Sequence, residues 1–139
     1  GFVFFITDCN ETNVEVIKKF EDGTTEKERE YKIENGEKVL VRETQYYSKD
    51  SKYLEREIKD SLADGLSTVW YKNGNKWSEG YFKNGLANGK RTVWYENGKI
   101  RYEGEYKEGE AIGIWRFYDE QGKQVNVIDY NSKNNKNDK

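Results

Sequence analysis

The sequence predicts an all-β protein: tandem β-hairpins with a 24-residue period, laid side by side as an elongated, twisted, single-layer antiparallel sheet. Three observations lead there. Gly65, Gly89 and Gly113 recur at that period, as do Gly74, Gly98 and Gly122. Aromatic columns travel with them, Trp70/Trp94/Tyr118 and Phe82/Tyr106/Tyr130. Asn-Gly pairs then separate β-rich segments in which large and polar residues alternate. A fixed period of this size marks stacked units, each too small to bury its own apolar face.

Composition sets the terms of that fold. The chain has 139 residues, one domain by size. Charged residues reach 36% and hydrophobic ones only 34%, yet aromatics make up 15%, so a thin sheet can hold together on rings. Formal net charge is −2 with acids and bases interleaved, which leaves no footprint for nucleic acid. There is no histidine, and Cys9 is the single cysteine. A Ser-His-Asp or Cys-His triad and an intrachain disulfide are therefore excluded, and no metal or other cofactor is expected.

Residues 1–13 carry two readings. Phe2-Val3-Phe4-Phe5-Ile6 is intensely apolar but too short to cross a bilayer. In one reading it is the end of a signal peptide, and Ile6 to Cys9 resembles a lipobox. Cys9 then carries the lipid, Asn10 to Asn13 form a tether, and the protein belongs to a bacterial cell envelope through its anchor. Asp8 departs from the small residue expected before the cysteine. In the other reading the run is a buried capping strand, Cys9 is a small apolar filler, and the location is cytoplasmic.

Residues 14–64 read as degenerate hairpin repeats, 65–130 as regular ones and 131–139 as a polar, disordered tail. Stepping back 24 residues places Tyr46 under Trp70, Asp50 under Gly74 and Ile58 under Phe82. Arg56 and Ser61 stand in this early copy where later copies have glycine. Asp22-Gly23 and Asp50 are 27 apart, so any unit further upstream carries an insertion.

Within one unit, Gly89 to Tyr106, the turn at Glu96-Asn97-Gly98 decides the faces. A two-residue turn pairs Trp94 with Arg101; a three-residue loop with Gly98 left-handed pairs Trp94 with Ile100. The second register is expected, because it sets Trp94, Ile100, Tyr102 and Tyr106 against Arg101, Glu103 and Glu105. The structural core is then one face lined by two columns: Tyr46, Trp70, Trp94 and Tyr118, with Ile58, Phe82, Tyr106 and Tyr130. Gly80 and Gly104 leave room there for a neighbouring ring.

Tyr102-Glu103-Gly104-Glu105-Tyr106, followed by Gly109 and Gly113, resembles the MORN repeat. The Trp-Tyr-x-Asn-Gly elements at Trp70 to Gly74 and Trp94 to Gly98 are similar to the bacterial MORN variant, found in antitoxin-type and envelope proteins. Ser78 departs from the pattern, standing where its first tyrosine belongs. The resemblance implies a non-catalytic repeat scaffold that binds a protein, such as a toxin it neutralises or an envelope component. The candidate contacts are Tyr71, Trp77, Tyr81, Tyr95 and Trp115, all off the two columns. Trp77 leads, because its counterparts are Arg101 and Val125; the alternative is that it packs under a loop or a neighbouring strand. MORN repeats are also associated with phospholipid membranes. Lys83, Lys90, Arg91, Lys99 and Arg101 are diluted here by Glu79, Glu96, Glu103 and Glu105, so headgroup capture ranks second. No Walker or kinase loop occurs, and an enzyme is not expected.

Overall fold

The computed structural model describes residues 12–131. The apolar run Phe2 to Ile6, Cys9 and the tail beyond Asn131 lie outside the described residues.

Ten strands follow one another in a single antiparallel sheet whose spatial order is the chain order. They are β1 (Thr12–Lys19), β2 (Thr25–Glu34), β3 (Glu37–Ser48), β4 (Ser51–Lys59), β5 (Leu62–Trp70), β6 (Lys76–Lys83), β7 (Leu86–Trp94), β8 (Ile100–Lys107), β9 (Glu110–Tyr118) and β10 (Gln124–Asp129). Among the described residues nothing covers the sheet as a second layer, so burial is sparse. Among the described residues the buried apolar side chains are Ile58, Val93 and Trp115, joined by Glu43, Thr44 and Thr68.

Two kinds of turn alternate along the sheet. One edge uses two-residue turns with both central residues left-handed, as at Asn84-Gly85 (φ 51° and 83°) and Glu108-Gly109 (φ 50° and 85°). The other edge uses the three-residue loop expected from the sequence. At Glu96-Asn97-Gly98, the Gly98 N–H donates to Tyr95 O at 3.0 Å and the Tyr95 N–H to Lys99 O at 2.8 Å, which pairs Trp94 with Ile100. Identical bonds close Phe20 to Thr24, Tyr71 to Asn75 and Asp119 to Lys123. The first hairpin therefore turns like the regular ones. Its extra residues are absorbed in longer strands, 10 residues in β2 and 12 in β3 against 8 in β6 and 9 in β7. In the degenerate copy Lys49-Asp50 makes a tighter turn, with Asp50 left-handed (φ 57°) where Gly74 is (φ 92°).

The expectation of one ring-lined face is corrected. After pairing Trp94 with Ile100, the ladder skips Arg101 and pairs Val93 with Tyr102, a β-bulge that reverses the alternation. Thr92 then faces Glu103, and Arg91 faces Gly104. Trp94 and Ile100 consequently share a face with Glu103 and Glu105, whereas Tyr102, Gly104 and Tyr106 occupy the opposite one. The same skip falls at Tyr53, Trp77 and Val125. Both faces carry rings: a tryptophan face with Tyr46, Trp70, Trp94 and Tyr118, and a glycine face with Ile58, Phe82, Tyr106 and Tyr130.

On the glycine face Trp115 lies across Gly104, where a Cβ would meet its ring. Tyr106 and Tyr130 meet Trp115 edge-on at 5.0 and 5.7 Å. Gly80 is covered by Arg91 instead of a ring, and the Arg91 guanidinium sits 5.5 Å from the Phe82 centroid and 5.2 Å from that of Tyr106. On the tryptophan face, Lys52 and Lys76 extend over Trp70 and Trp94 at 5.7 and 5.8 Å. Each lysine also pairs with a carboxylate, Glu55 at 2.6 Å and Glu79 at 2.5 Å.

Candidate binding surface

The skipped residues make the most distinctive surface feature of this sheet. A bulged residue has no partner across the ladder, so cross-strand packing does not dictate its identity. After Glu26 in the first hairpin, successive units place Tyr53, Trp77, Arg101 and Val125 there, so side chains of different kinds share one repeated backbone site.

Tyr53, Trp77 and Arg101 each rest on a tyrosine from their own turn. Tyr53 lies 5.1 Å from Tyr47, Trp77 stacks on Tyr71 at 5.1 Å with planes 13° apart, and Arg101 sits 5.6 Å from Tyr95. Those tyrosines are themselves fixed. Tyr47, Tyr71 and Tyr95 donate their hydroxyls to the carbonyls of Trp70, Trp94 and Tyr118 in the next unit, each at 2.7 Å. Asn73 and Asn97 add parallel bonds to the carbonyls of Glu96 and Glu120, each at 2.9 Å. Burial pushes the phenol of Tyr71 above its ordinary value, so the hydroxyl remains a donor through the neutral range.

The five candidate contacts thus separate. Trp77 is 41% exposed on the Tyr71 platform, which answers whether it packs beneath a loop. Tyr81, 48% exposed, projects from the tryptophan face beside a depression of about 350 Å³ that Glu79, Lys90, Thr92 and Trp94 also line. Tyr71 and Tyr95 serve first as ties between units, presenting only ring surface. Trp115 is corrected: at 4% exposure it belongs to the packed glycine face, because Gly104 opens a seat for it. Tyr53 and Arg101 join the surface, and sequence reasoning passed over them. The signal was their 24-residue registration with Trp77, which reads as mere variability until the bulge is seen.

Among the described residues no three of His, Cys, Asp and Glu gather as a metal ion would require. Among the described residues, the depressions beside Tyr46 and beside Tyr81 are open and lined by mixed polar and aromatic side chains, unlike the enclosed apolar clefts that hold small substrates.

The family model described as a MORN repeat variant matches two adjacent segments, residues 63–84 and 87–108. These are the β5–β6 and β7–β8 hairpins, each taken from the alanine before its glycine to the far end of the second strand. No curated protein and no solved structure matches the chain. The MORN repeat is a non-catalytic type of repeat, and the two matched hairpins are similar to it in sequence and lie inside a longer run of the same architecture.

Proposed function

We propose that this protein is a non-catalytic repeat scaffold that binds a partner protein through its bulge-borne side chains, Trp77 above all, with Tyr53, Arg101 and Tyr81 alongside. The observation that carries the reading is the stacking of exposed Trp77 on Tyr71, whose hydroxyl is tied to the next unit. An exposed indole held rigid before binding loses little freedom on contact, and such residues dominate protein interfaces. Variation at an unpaired site lets the partner-facing surface change without disturbing the ladder. By family resemblance the partner is a toxin this protein neutralises or a component of the cell envelope.

Affinity capture from the source cells with wild type, Trp77→Ala and Tyr81→Ala tests the reading, with anionic vesicles titrated in parallel. A stoichiometric protein partner held by wild type and lost with Trp77→Ala is the expected result. Retention of that partner by both variants, or saturable vesicle binding at physiological salt, would overturn it.

A further inference from the structure

On the glycine face of the first two hairpins the ring-and-glycine pattern gives way to charge. Glu43 is 2% exposed, and three cations from two neighbouring strands converge on its carboxylate. Arg29 Nε lies 3.0 Å from one oxygen, Lys27 Nζ 3.6 Å from the same oxygen and Arg56 Nη2 3.3 Å from the other. One buried carboxylate therefore holds three cations in place, an excess of two positive charges. Adjacent carboxylates do not cancel it: Glu15 pairs with Lys38, and Glu26 with Lys18 at 3.0 Å.

This arrangement replaces the repeat's own solution. Arg56 occupies the position of Gly80 and Gly104, and Glu43, across the ladder from it, that of Ser67 and Arg91. A glycine would close the sheet here as it does twice elsewhere. Arg56 also exceeds what Glu43 needs, since its Nε is buried without a hydrogen-bond partner. All three side chains keep about a third of their surface toward solvent.

We propose that Lys27, Arg29 and Arg56, organised by Glu43, form an anion-binding site whose ligand is a carboxylate-rich, extended segment of the partner protein. The cations rise from β2 and β4 on either side of β3 and close to 3.0–3.6 Å from the one Glu43 carboxylate, so they form a compact patch that reaches across three strands. No backbone N–H nest or helix terminus wraps a single tetrahedral anion at this place. Neighbouring carboxylates of an extended acidic segment fit such a patch, and guanidinium groups bind them strongly. The proposal rests on the protein-binding reading and deepens it by giving the partner's chemistry.

The test titrates the full chain into a labelled peptide of alternating Asp and Ser, followed by fluorescence anisotropy, with inorganic phosphate and phosphatidylserine vesicles as competing probes. Expected is saturable binding that weakens with salt and falls roughly tenfold or more in Arg56→Gly and in Lys27→Gln. Arg56→Gly restores the residue used by later units, and Lys27→Gln leaves the repeat framework untouched, so folding is preserved in at least one. Absence of saturable peptide binding, indifference to both substitutions, or preference for phosphate or vesicles would overturn the proposal. Peptide binding that fails while Trp77-dependent capture persists overturns this site alone and leaves the scaffold standing.

Discussion

Replacing Gly104 with alanine puts a methyl group where the Trp115 indole already lies. The new Cβ would stand within 2.6 Å of Cδ2, Cε2 and Cε3 of that ring. Carbon atoms settle at about 3.5–4.0 Å, so the ring must retreat by about 1 Å or more. Trp115 has little room to do so: Tyr106 and Tyr130 flank it edge-on, Tyr102 stacks at 6.0 Å, and its Nε1 donates to Ile112 O at 3.1 Å. Overpacking of this kind costs about 1–3 kcal/mol and the strained indole bond about 1 kcal/mol more. Alanine returns about 0.5–1 kcal/mol through its better strand preference. The backbone at 104 lies outside the left-handed region, so no conformational strain adds to the total. A net loss of about 2 kcal/mol follows. Gly80→Ala is the internal control, because its Cβ would meet the Arg91 Nε, with Cδ and Cζ at 3.2 Å, on a side chain that can swing away. Urea unfolding followed by tryptophan fluorescence should show Gly104→Ala destabilised well beyond Gly80→Ala. Equal effects at the two sites, or a stabilised Gly104→Ala, would refute the claim that the glycine exists to seat the indole.

Three other outcomes are expected. Ser61 is left-handed at φ 66° in the turn where later units have glycine, so Ser61→Gly should stabilise by about 1 kcal/mol and raise Tm by a few degrees. Tyr95→Phe removes the donor to Tyr118 O and should lower unfolding free energy by about 1 kcal/mol; a neutral result in urea would deny that the turn tyrosines tie units together. The Glu43 carboxyl is pushed up by burial but pulled further down by the Arg29 hydrogen bond and the Arg56 and Lys27 charges, so it sits below the usual carboxylate range. Its stabilising contribution is complete above the unfolded value and disappears as pH falls through the lowered folded one. Acid titration of stability should therefore be steeper in wild type than in Glu43→Gln across that window.

Much of the architecture was legible in the residues. Glycine spacing located the hairpins, and Asn97-Gly98 with the cost of mixing rings and charges picked the correct loop. The error in the faces came one residue later. Nothing in Arg101, Trp77 or Tyr53 announces a bulge, because a skipped residue is marked by missing cross-strand partners and not by its own chemistry. The misplacement of Trp115 followed from the same source: a tryptophan off the two columns looked free until Gly104 proved to be its seat. Arg56 was noticed as a lost glycine, but its convergence with Lys27 and Arg29 on Glu43 joins three strands through contacts between residues far apart in sequence, beyond any local pattern.

By itself the chain order of glycines and aromatics determined a period, a hairpin unit and a single antiparallel sheet, since these depend on local turn chemistry repeated at fixed intervals. Which rings share a face, which side chain covers each glycine and where charge gathers were decided only in the folded sheet. In the regular hairpins one unpaired residue inverts the side chains that follow it, and that inversion exists only once two strands are hydrogen-bonded together.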